Sequence, residues 1–238
     1  MSDMTHRRLP LLLLVALGLP LLLSLSGCGS PRGTAARVVV PAPPWRGLLL
    51  RPHTAAGVPG DPINLGVEGS RAALLAAFQK SGWLPADPLS PRNDARLALD
   101  FILHRSYPRA PVSRLYLFGR PQDLAVEHEL GTVSRRDHAR FWDTYRRDPR
   151  TRLELWVGDA ARDTGVEVAL SHGIPVGTTH HISPFVDGER RRIVAALRRA
   201  GVVAAVVMEP GIGPTLLERN GAGDPFVTDG RAAVIVLK

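Results

Sequence analysis

The chain of 238 residues carries a formal net charge of +8, from 30 lysines and arginines against 22 aspartates and glutamates. Every basic residue except Lys80 and Lys238 is an arginine, whose side chain suits paired hydrogen bonds to phosphate and carboxylate groups. Cys28 is the single cysteine, which excludes an intramolecular disulfide and a zinc site made of thiolates.

The first 27 residues have the layout of a secretory signal peptide. Residues 6–8, HRR, precede an apolar run at residues 9–25, and small residues follow before Cys28. The run is shorter than the roughly 20 apolar residues that cross a bilayer, and Pro10 and Pro20 each remove a helix hydrogen-bond donor. We therefore predict that residues 1–27 form a cleaved export signal and not a membrane span.

Residues 25–28, LSGC, resemble the bacterial lipobox, whose cysteine receives a diacylglyceryl thioether and becomes the new N-terminus. The resemblance implies that Cys28 is the lipidation site and that the mature chain is held on a membrane, since two or more acyl chains anchor a protein stably. Gly29 stands where an aspartate would retain a lipoprotein in the inner membrane, so we expect a periplasm-facing protein on the outer membrane if the cell has one. The alternative is a soluble exported protein cut near Gly27, with Cys28 as a bare thiol.

Export also decides which partners the positive charge can meet. An exported protein does not meet nucleic acid, so anionic lipid head groups or acidic polysaccharide remain as the possible partners. The alternative is that arginine serves solubility alone, because basic and acidic residues are interspersed along the chain.

The remaining chain divides into a tether and one domain. Residues 28–60 are rich in proline and glycine and predict an extended tether. In the domain, residues 61–238, we expect a strand at 63–69, a helix capped by Ser70, and a second helix that begins at Pro91. A hairpin around Gly119 and further strands follow, then a helix at 188–200, a buried strand at 202–209 and a C-terminal strand. This order predicts an α+β fold, a single domain with helices packed on a mainly antiparallel sheet.

Four motifs, in order, resemble the LssY C-terminal domain family. They are DPINLGVEGSRAALLAAFQKSGWLPADPL (61–89), APVSRLYLFGRPQDLAVE (110–127), HARFW (138–142) and THHISPFVDGER (179–190). The resemblance runs from about residue 61 to residue 207. Members of the family often lie behind integral-membrane segments, so the resemblance implies an envelope location and supplies no reaction.

Residues 177–192, GTTHHISPFVDGERRR, hold the densest group of reactive side chains. In one interpretation, a divalent metal such as zinc is the cofactor, and its ligands come from a strand end and this loop. The candidate ligands are His172, His180, His181 and Asp187, with His138 as a further ligand if the sheet brings it close.

In the other interpretation the same residues are structural. Asp187 would cap the following helix, and Glu189 would complement the helix dipole. The spacing matches no compact metal motif, and neighbouring histidines in an extended strand point to opposite faces. The structural interpretation is therefore favoured over the metal site.

A second group of polar residues lies beside the predicted hairpin. Arg120 and Asp123 flank a proline, and Arg114 is near in sequence. These residues would bind an anionic head group through the guanidinium donors, or Arg120 and Asp123 would simply pair and fix the turn.

The sequence thus favours a lipid-anchored binding or accessory module for an envelope lipid, polysaccharide or protein, without catalysis of its own. It contains no GxSxG and no P-loop, and MEPGIGPTL has Leu216 where a dinucleotide-binding loop needs its third glycine. The alternative is a metal-assisted hydrolase of envelope lipids or phosphoesters, with the histidine patch as ligands and Glu189 as general base.

Overall fold

The computed structural model describes residues 44–132, 135–171 and 174–238, with the backbone alone for residues 166–180. The predicted signal, Cys28 and most of the predicted tether lie outside the described residues. The described elements, in chain order, are β1 (Leu65–Glu68), α1 (Arg71–Lys80), β2 (Leu84–Pro85), α2 (Pro91–Ile102), β3 (Tyr116–Leu117), β4 (Arg120–Pro121), β5 (Leu124–Thr132), β6 (Arg135–Arg147), β7 (Glu154–Ser171), β8 (Ile174–Ile182), α3 (Val186–Arg199), β9 (Val203–Pro210), β10 (Thr215–Arg219), β11 (Pro225–Thr228) and β12 (Arg231–Leu237).

One large sheet organises the domain in the order β2-β5-β6-β7-β1-β12-β9, and β8 pairs with the distal half of β7. β1 and β12 run parallel, whereas the other pairs of this sheet are antiparallel. The sheet with its helices confirms the predicted α+β class. The predicted hairpin is β3–β4, whose two turn residues, Phe118 and Gly119, both have positive φ as a tight hairpin turn requires.

Helices α1 and α3 cover one face of the sheet, which we call the helix face. Ser70 caps α1 as predicted, because its hydroxyl accepts a hydrogen bond from Ala73 N at 3.1 Å. Leu74 and Phe78 point from α1 into the core, and the Phe78 ring meets Phe141 of β6 edge-on with centroids 5.2 Å apart. Leu197 of α3 is fully buried in the same cluster.

Segments without regular structure cover the opposite face. Trp45, Leu48 and Leu49 pack there with Trp142 of β6, and residues 111–117 add to the cover. Gly66 of β1 lets the Trp45 ring lie close, since a Cβ at residue 66 would stand 2.9 Å from the ring. Within the described residues, the packed core therefore includes Trp45, Leu48 and Leu49 from the end of the segment that the sequence predicted as tether, because the apolar residues of WRGLLL cover the sheet.

Two elements differ from the sequence prediction. β9 is an edge strand that pairs with β12, and Val207 is 51% exposed, so the apolar run at 202–209 is not a buried strand. Helix α3 begins at Val186 after Phe185, which makes no side-chain cap, and so Asp187 lies in the first turn and not at the cap. Among the described residues, no helix combines the length and apolar character that crossing a membrane requires.

Candidate functional site

Paired strands β6 and β7 carry a set of buried charges on the face opposite the helices. Arg140 stands across from Asp159 in the register of the two strands, and His138 stands across from Ala161. Residues two apart in a strand point to the same side, so Arg136 and Asp163 extend the same row. These charged side chains and His138 are all buried. Buried charges are retained only with partners, and the contacts below supply them.

Arg140 is the centre of this network. Its Nη1 donates to Asp159 Oδ1 at 3.1 Å and lies 3.7 Å from Asp61 Oδ2. Its other nitrogens hold the covering segment, because Nε donates to Ser113 O and Nη2 to Ser113 Oγ, both at 2.9 Å. Burial raises the pKa of Asp159 to about 6, although the charge of Arg140 opposes the rise.

His138 is oriented by its neighbours on both sides. Its Nε2 lies 3.2 Å from Arg140 Nη1, and its Nδ1 lies 3.2 Å from Asp163 Oδ1. A guanidinium only donates hydrogen bonds, so Nε2 is the acceptor in its contact with Arg140. The lone pair of His138 Nε2 is therefore directed at a cation.

Arg136 binds two carboxylates from strands on either side of β6. It donates to Asp163 Oδ2 at 2.8 Å and to Glu127 of β5, and its Nη2 reaches the carbonyl of Pro111 at 3.3 Å. Burial raises the pKa of Glu127 to about 8; the charge of Arg136 opposes the rise and that of Asp163 adds to it.

A cleft of about 370 Å³ opens above this network. Its walls come from four separate parts of the chain, and its floor is the charged row of β6 and β7. The lining residues are Thr54, Gly60, Asp61, Ser113, Arg114, Leu115, His138, Arg140, Asp163, Ile182, Asn220, Gly221 and Ala222. Asp61 is held by Asn220, whose amide nitrogen donates to it at 3.1 Å.

The predicted head-group residues lie in two different places. Arg114 lines the cleft, is exposed, and makes no ion pair or side-chain hydrogen bond within the described residues. Arg120 instead pairs with Asp123 and donates to the carbonyl of Asp143, while Asp123 accepts from the Asp143 amide at 2.7 Å. The contacts of Arg120 and Asp123 thus fix the β3–β4 turn to β6, and Arg114 alone of the three faces the cleft.

The two predicted histidine ligands of β8 occupy neighbouring positions in its pairing with β7. His180 stands across from Val166 and His181 across from Gly165. The His181 Nδ1 lies 2.7 Å from Asp224 Oδ1, and the other Asp224 oxygen accepts from the Ile182 amide at 2.9 Å. His172 and the side chain of His180 lie outside what the structure describes.

Asp187, the fourth predicted ligand, is held at the far end of β11. Its carboxylate accepts hydrogen bonds from Thr228 Oγ1 at 2.7 Å and from Asp229 N at 2.8 Å, and it pairs with Arg190 at 3.2 Å. The anchor of His181, Asp224, precedes the same strand, and four residues of strand span roughly 13 Å. Among the side chains that the structure describes, no group of three or more histidines, cysteines, aspartates or glutamates is placed to hold a metal ion.

Glu189, the candidate base, lies on the helix face. It accepts from Arg192 at 2.8 Å and lies 3.8 Å from Arg162, whose Nε donates to Asp137 at 2.5 Å. Burial raises the pKa of Glu189 to about 7, and the nearby charge of Asp137 adds to the rise. Because Asp137 and Arg162 are out of phase with His138 and Asp163 along their strands, the sheet separates Glu189 from the cleft.

Sequence reasoning missed Asp61, Arg140, Asp159, Asp163 and Asn220. The available signal was local: R-x-H-x-R at 136–140 and D-x-A-x-D at 159–163 alternate with period two, which marks charges on a single face of each strand. The register between the strands then joins the two patterns.

Comparison with known proteins identifies a family that the chain matches. The family model described as LssY C-terminus matches residues 45–232, which is most of the chain. No curated protein and no solved structure matches.

Proposed function

The chain belongs to the LssY C-terminal family, and from that premise we propose that it is a lipid-anchored, non-catalytic binding module of the cell envelope whose cleft binds an acidic, hydroxyl-rich sugar. The observation that carries this proposal is Arg114, a guanidinium without an ion-pair partner in the described residues, on the wall of a polar cleft. The partner is then an envelope polysaccharide or the head group of an envelope glycolipid.

The lining of the cleft supports a sugar as the ligand class. Hydroxyls of Thr54 and Ser113, the Asp61 carboxylate and the Asn220 amide combine donors and acceptors around one space. A sugar hydroxyl donates and accepts at once, so such a mixed lining suits it better than it suits a phosphodiester, whose oxygens only accept. Arg114 adds a site for the carboxylate of an acidic sugar.

The position of Arg140 supports binding without catalysis. A serine nucleophile needs the imidazole as its base within hydrogen-bond reach. Here Arg140 is hydrogen-bonded to Ser113 Oγ and also contacts His138 Nε2, so both groups that would form such a pair are engaged by a cation. The network therefore works as a rigid polar floor.

The cell location is the other half of the proposal. The LSGC sequence and the preceding leader support lipidation of Cys28 and a periplasm-facing position, with the outer membrane favoured where a cell has one. Cell fractionation tests this half: Cys28→Ala moves the protein from the membrane fraction to the soluble periplasm. An unmodified Cys28 in the mass spectrum of the membrane-bound protein would contradict the lipid anchor.

A titration of the full chain in nonionic detergent tests the ligand. The probes are galacturonate oligosaccharides and neutral galactose oligosaccharides of the same length, measured by calorimetry. We expect the acidic probe to bind, and Arg114→Ala to weaken it by about 10-fold or more, since a hydrogen bond to a charged group contributes about 1.5–3 kcal/mol. Arg92→Ala is the matched control, because Arg92 is exposed on α2 and removes the same charge.

Equal loss in Arg114→Ala and Arg92→Ala would reduce the interaction to net charge and contradict the cleft as the site. Binding of neither probe would contradict the sugar.

The metal-assisted hydrolase draws less support from the structure, because Asp187, Glu189 and His181 have separate partners in separate places. Metal analysis of untagged protein tests it together with the double change His180→Ala and His181→Ala. A bound stoichiometric transition metal that this double change removes would favour the hydrolase.

A further inference from the structure

A groove of about 720 Å³ runs on the helix face between α3 and the edge strand β9, away from the cleft. Val194 of α3, Val206 and Met208 of β9 and Ala233 of β12 form its apolar floor. Because β9 is the last strand of the sheet, no further strand lies beyond it within the described residues, and the floor remains open at that edge.

Arginines surround this floor. Arg191 and Arg198 come from α3 two turns apart, so they lie on the same side of the helix, and Arg199 and Arg231 complete the rim. All four are exposed, and none of them forms an ion pair in the described part of the chain. Arg190 differs, because it is buried and paired with Asp187 and Asp229. The groove therefore carries a net positive charge over an apolar floor, with Asp229 as the one acid among its lining residues.

We propose that this groove binds an anionic phospholipid, with the phosphate on the arginine rim and an acyl chain along Val194, Val206 and Met208. The charge selects an anion, and guanidinium groups hold phosphate oxygens through paired hydrogen bonds. The apolar floor selects an occupant with a hydrocarbon part, which a free phosphate or a sugar lacks. A hydrocarbon chain together with a phosphate matches both parts of the lining.

This inference does not depend on the cleft ligand, since the two sites are on opposite faces of the sheet. It gives the domain a second contact with a membrane besides the proposed lipid at Cys28. A basic surface and an acyl chain together hold a protein on an anionic bilayer more firmly than either alone.

Three soluble probes test the groove by calorimetry with the full chain in a nonionic maltoside detergent, which competes equally in all variants. They are dioctanoyl phosphatidylglycerol, dioctanoyl phosphatidylcholine, and glycerophosphoglycerol, which is the phosphatidylglycerol head group without chains. We expect the anionic lipid to bind at least about 10-fold more tightly than either other probe, because the other two lack net charge or hydrocarbon.

Paired variants locate the site. Arg191→Ala with Arg198→Ala removes two rim charges and should weaken the anionic lipid by about 10-fold or more. Arg71→Ala with Arg92→Ala removes the same charge from exposed positions on α1 and α2 and should leave the affinity unchanged. Val194→Ser changes the floor and should weaken the lipid several-fold, while any binding of glycerophosphoglycerol stays as it was.

Glycerophosphoglycerol binding as tightly as the lipid would overturn the proposal in favour of a plain anion site. Equal loss in the two arginine pairs would overturn it in favour of net charge. A glutamate-rich peptide that binds at this rim more tightly than the lipid would overturn it in favour of a protein partner.

Discussion

The helix face and the opposite face of the sheet are both buried, and they are covered by different kinds of backbone. On the helix face, α1 and α3 satisfy their peptide groups internally, so the sheet needs to offer them little more than apolar side chains such as Phe141. On the opposite face, the cover includes residues 111–117, which in their first part have no regular structure and leave carbonyl groups facing the sheet.

The buried arginines of β6 donate hydrogen bonds to those carbonyl groups. Arg136 donates to Pro111 O, and Arg140 donates to Ser113 O, which also accepts from the Gln122 side chain at 3.0 Å. Buried backbone carbonyls without partners are costly, so a loop lies on a sheet only if the sheet supplies donors. The charged network therefore serves first to bury an irregular cover, and the cleft forms where that cover leaves a gap.

Breaking the network at Arg136 should produce the largest effect. Arg136→Met leaves Glu127 and Asp163 as buried acids without their cation, and such a change costs about 3–5 kcal/mol of unfolding free energy. Chemical denaturation of the full chain in detergent measures it.

Arg147→Met is the matched control, because Arg147 forms an exposed pair with Glu154 at 2.7 Å. Its expected cost is about 0–1 kcal/mol. Equal losses in the two variants would show that burial gives the Arg136 pairs no special role.

The helix face should respond to loss of apolar volume. Leu197→Ala empties a fully buried position under α3 and should cost about 2–5 kcal/mol, the usual range for such a cavity. Leu99→Ala on α2 is the control, since Leu99 is 52% exposed and its truncation should change stability by less than about 0.5 kcal/mol. A loss at residue 197 no larger than that at residue 99 would contradict the assignment of this face to the core.

The sequence predicted much of the helix face and little of the cleft, and the reason is physical. Ser70 and Pro91 act through local caps that need no tertiary context, so α1 and α2 begin where expected. The β9 run was misjudged because apolar composition does not reveal whether a strand is central or at an edge.

The cleft depends on contacts between distant parts of the chain. Asp61, Ser113, Arg140 and Asn220 meet only after the register of the strands and the path of the irregular cover are known. A single sequence gives the alternation of charges within a strand but not the partner strand.

The two faces also differ in the pH window of their buried acids. Burial raises the pKa of Glu127 from 4.5 to about 8 on the cleft side and that of Glu189 from 4.5 to about 7 on the helix side. In each case the folded protein keeps the proton, so the contribution to stability is fully present below about pH 4.5 and is lost as the pH rises through the folded pKa.

Glu127→Gln and Glu189→Gln should therefore gain stability relative to the unchanged protein as the pH rises. We expect a total gain of about 3–5 kcal/mol, larger for Glu127→Gln than for Glu189→Gln because its pKa is raised further, since one pKa unit corresponds to about 1.4 kcal/mol. The gain should level off near pH 8 for Glu127 and near pH 7 for Glu189. Denaturation of both variants across this range measures it, and a difference that stays flat with pH would contradict the raised pKa values.

The smallest expected effects come from removing the two helix caps, and these changes test whether the two faces unfold together. Ser70→Ala and Ser90→Ala each remove a hydroxyl that accepts from a backbone amide, at 3.1 Å and 3.2 Å, and each loss should cost its helix about 1 kcal/mol. Helix α1 belongs to the main core, so Ser70→Ala should lower the global unfolding free energy.

Helix α2 packs in a separate small cluster, in which Leu97 contacts Tyr107 and Ala110 just before the irregular cover begins at residue 111. Ser90→Ala should therefore raise the hydrogen-exchange rates of α2 and of amides near Ala110 while the exchange of α1 and β6 amides stays as it was, because local opening need not involve the whole domain. If Ser90→Ala instead speeds exchange evenly through β6, the cover and the helix face unfold as one unit, and the distinction between the two faces holds for composition but not for stability.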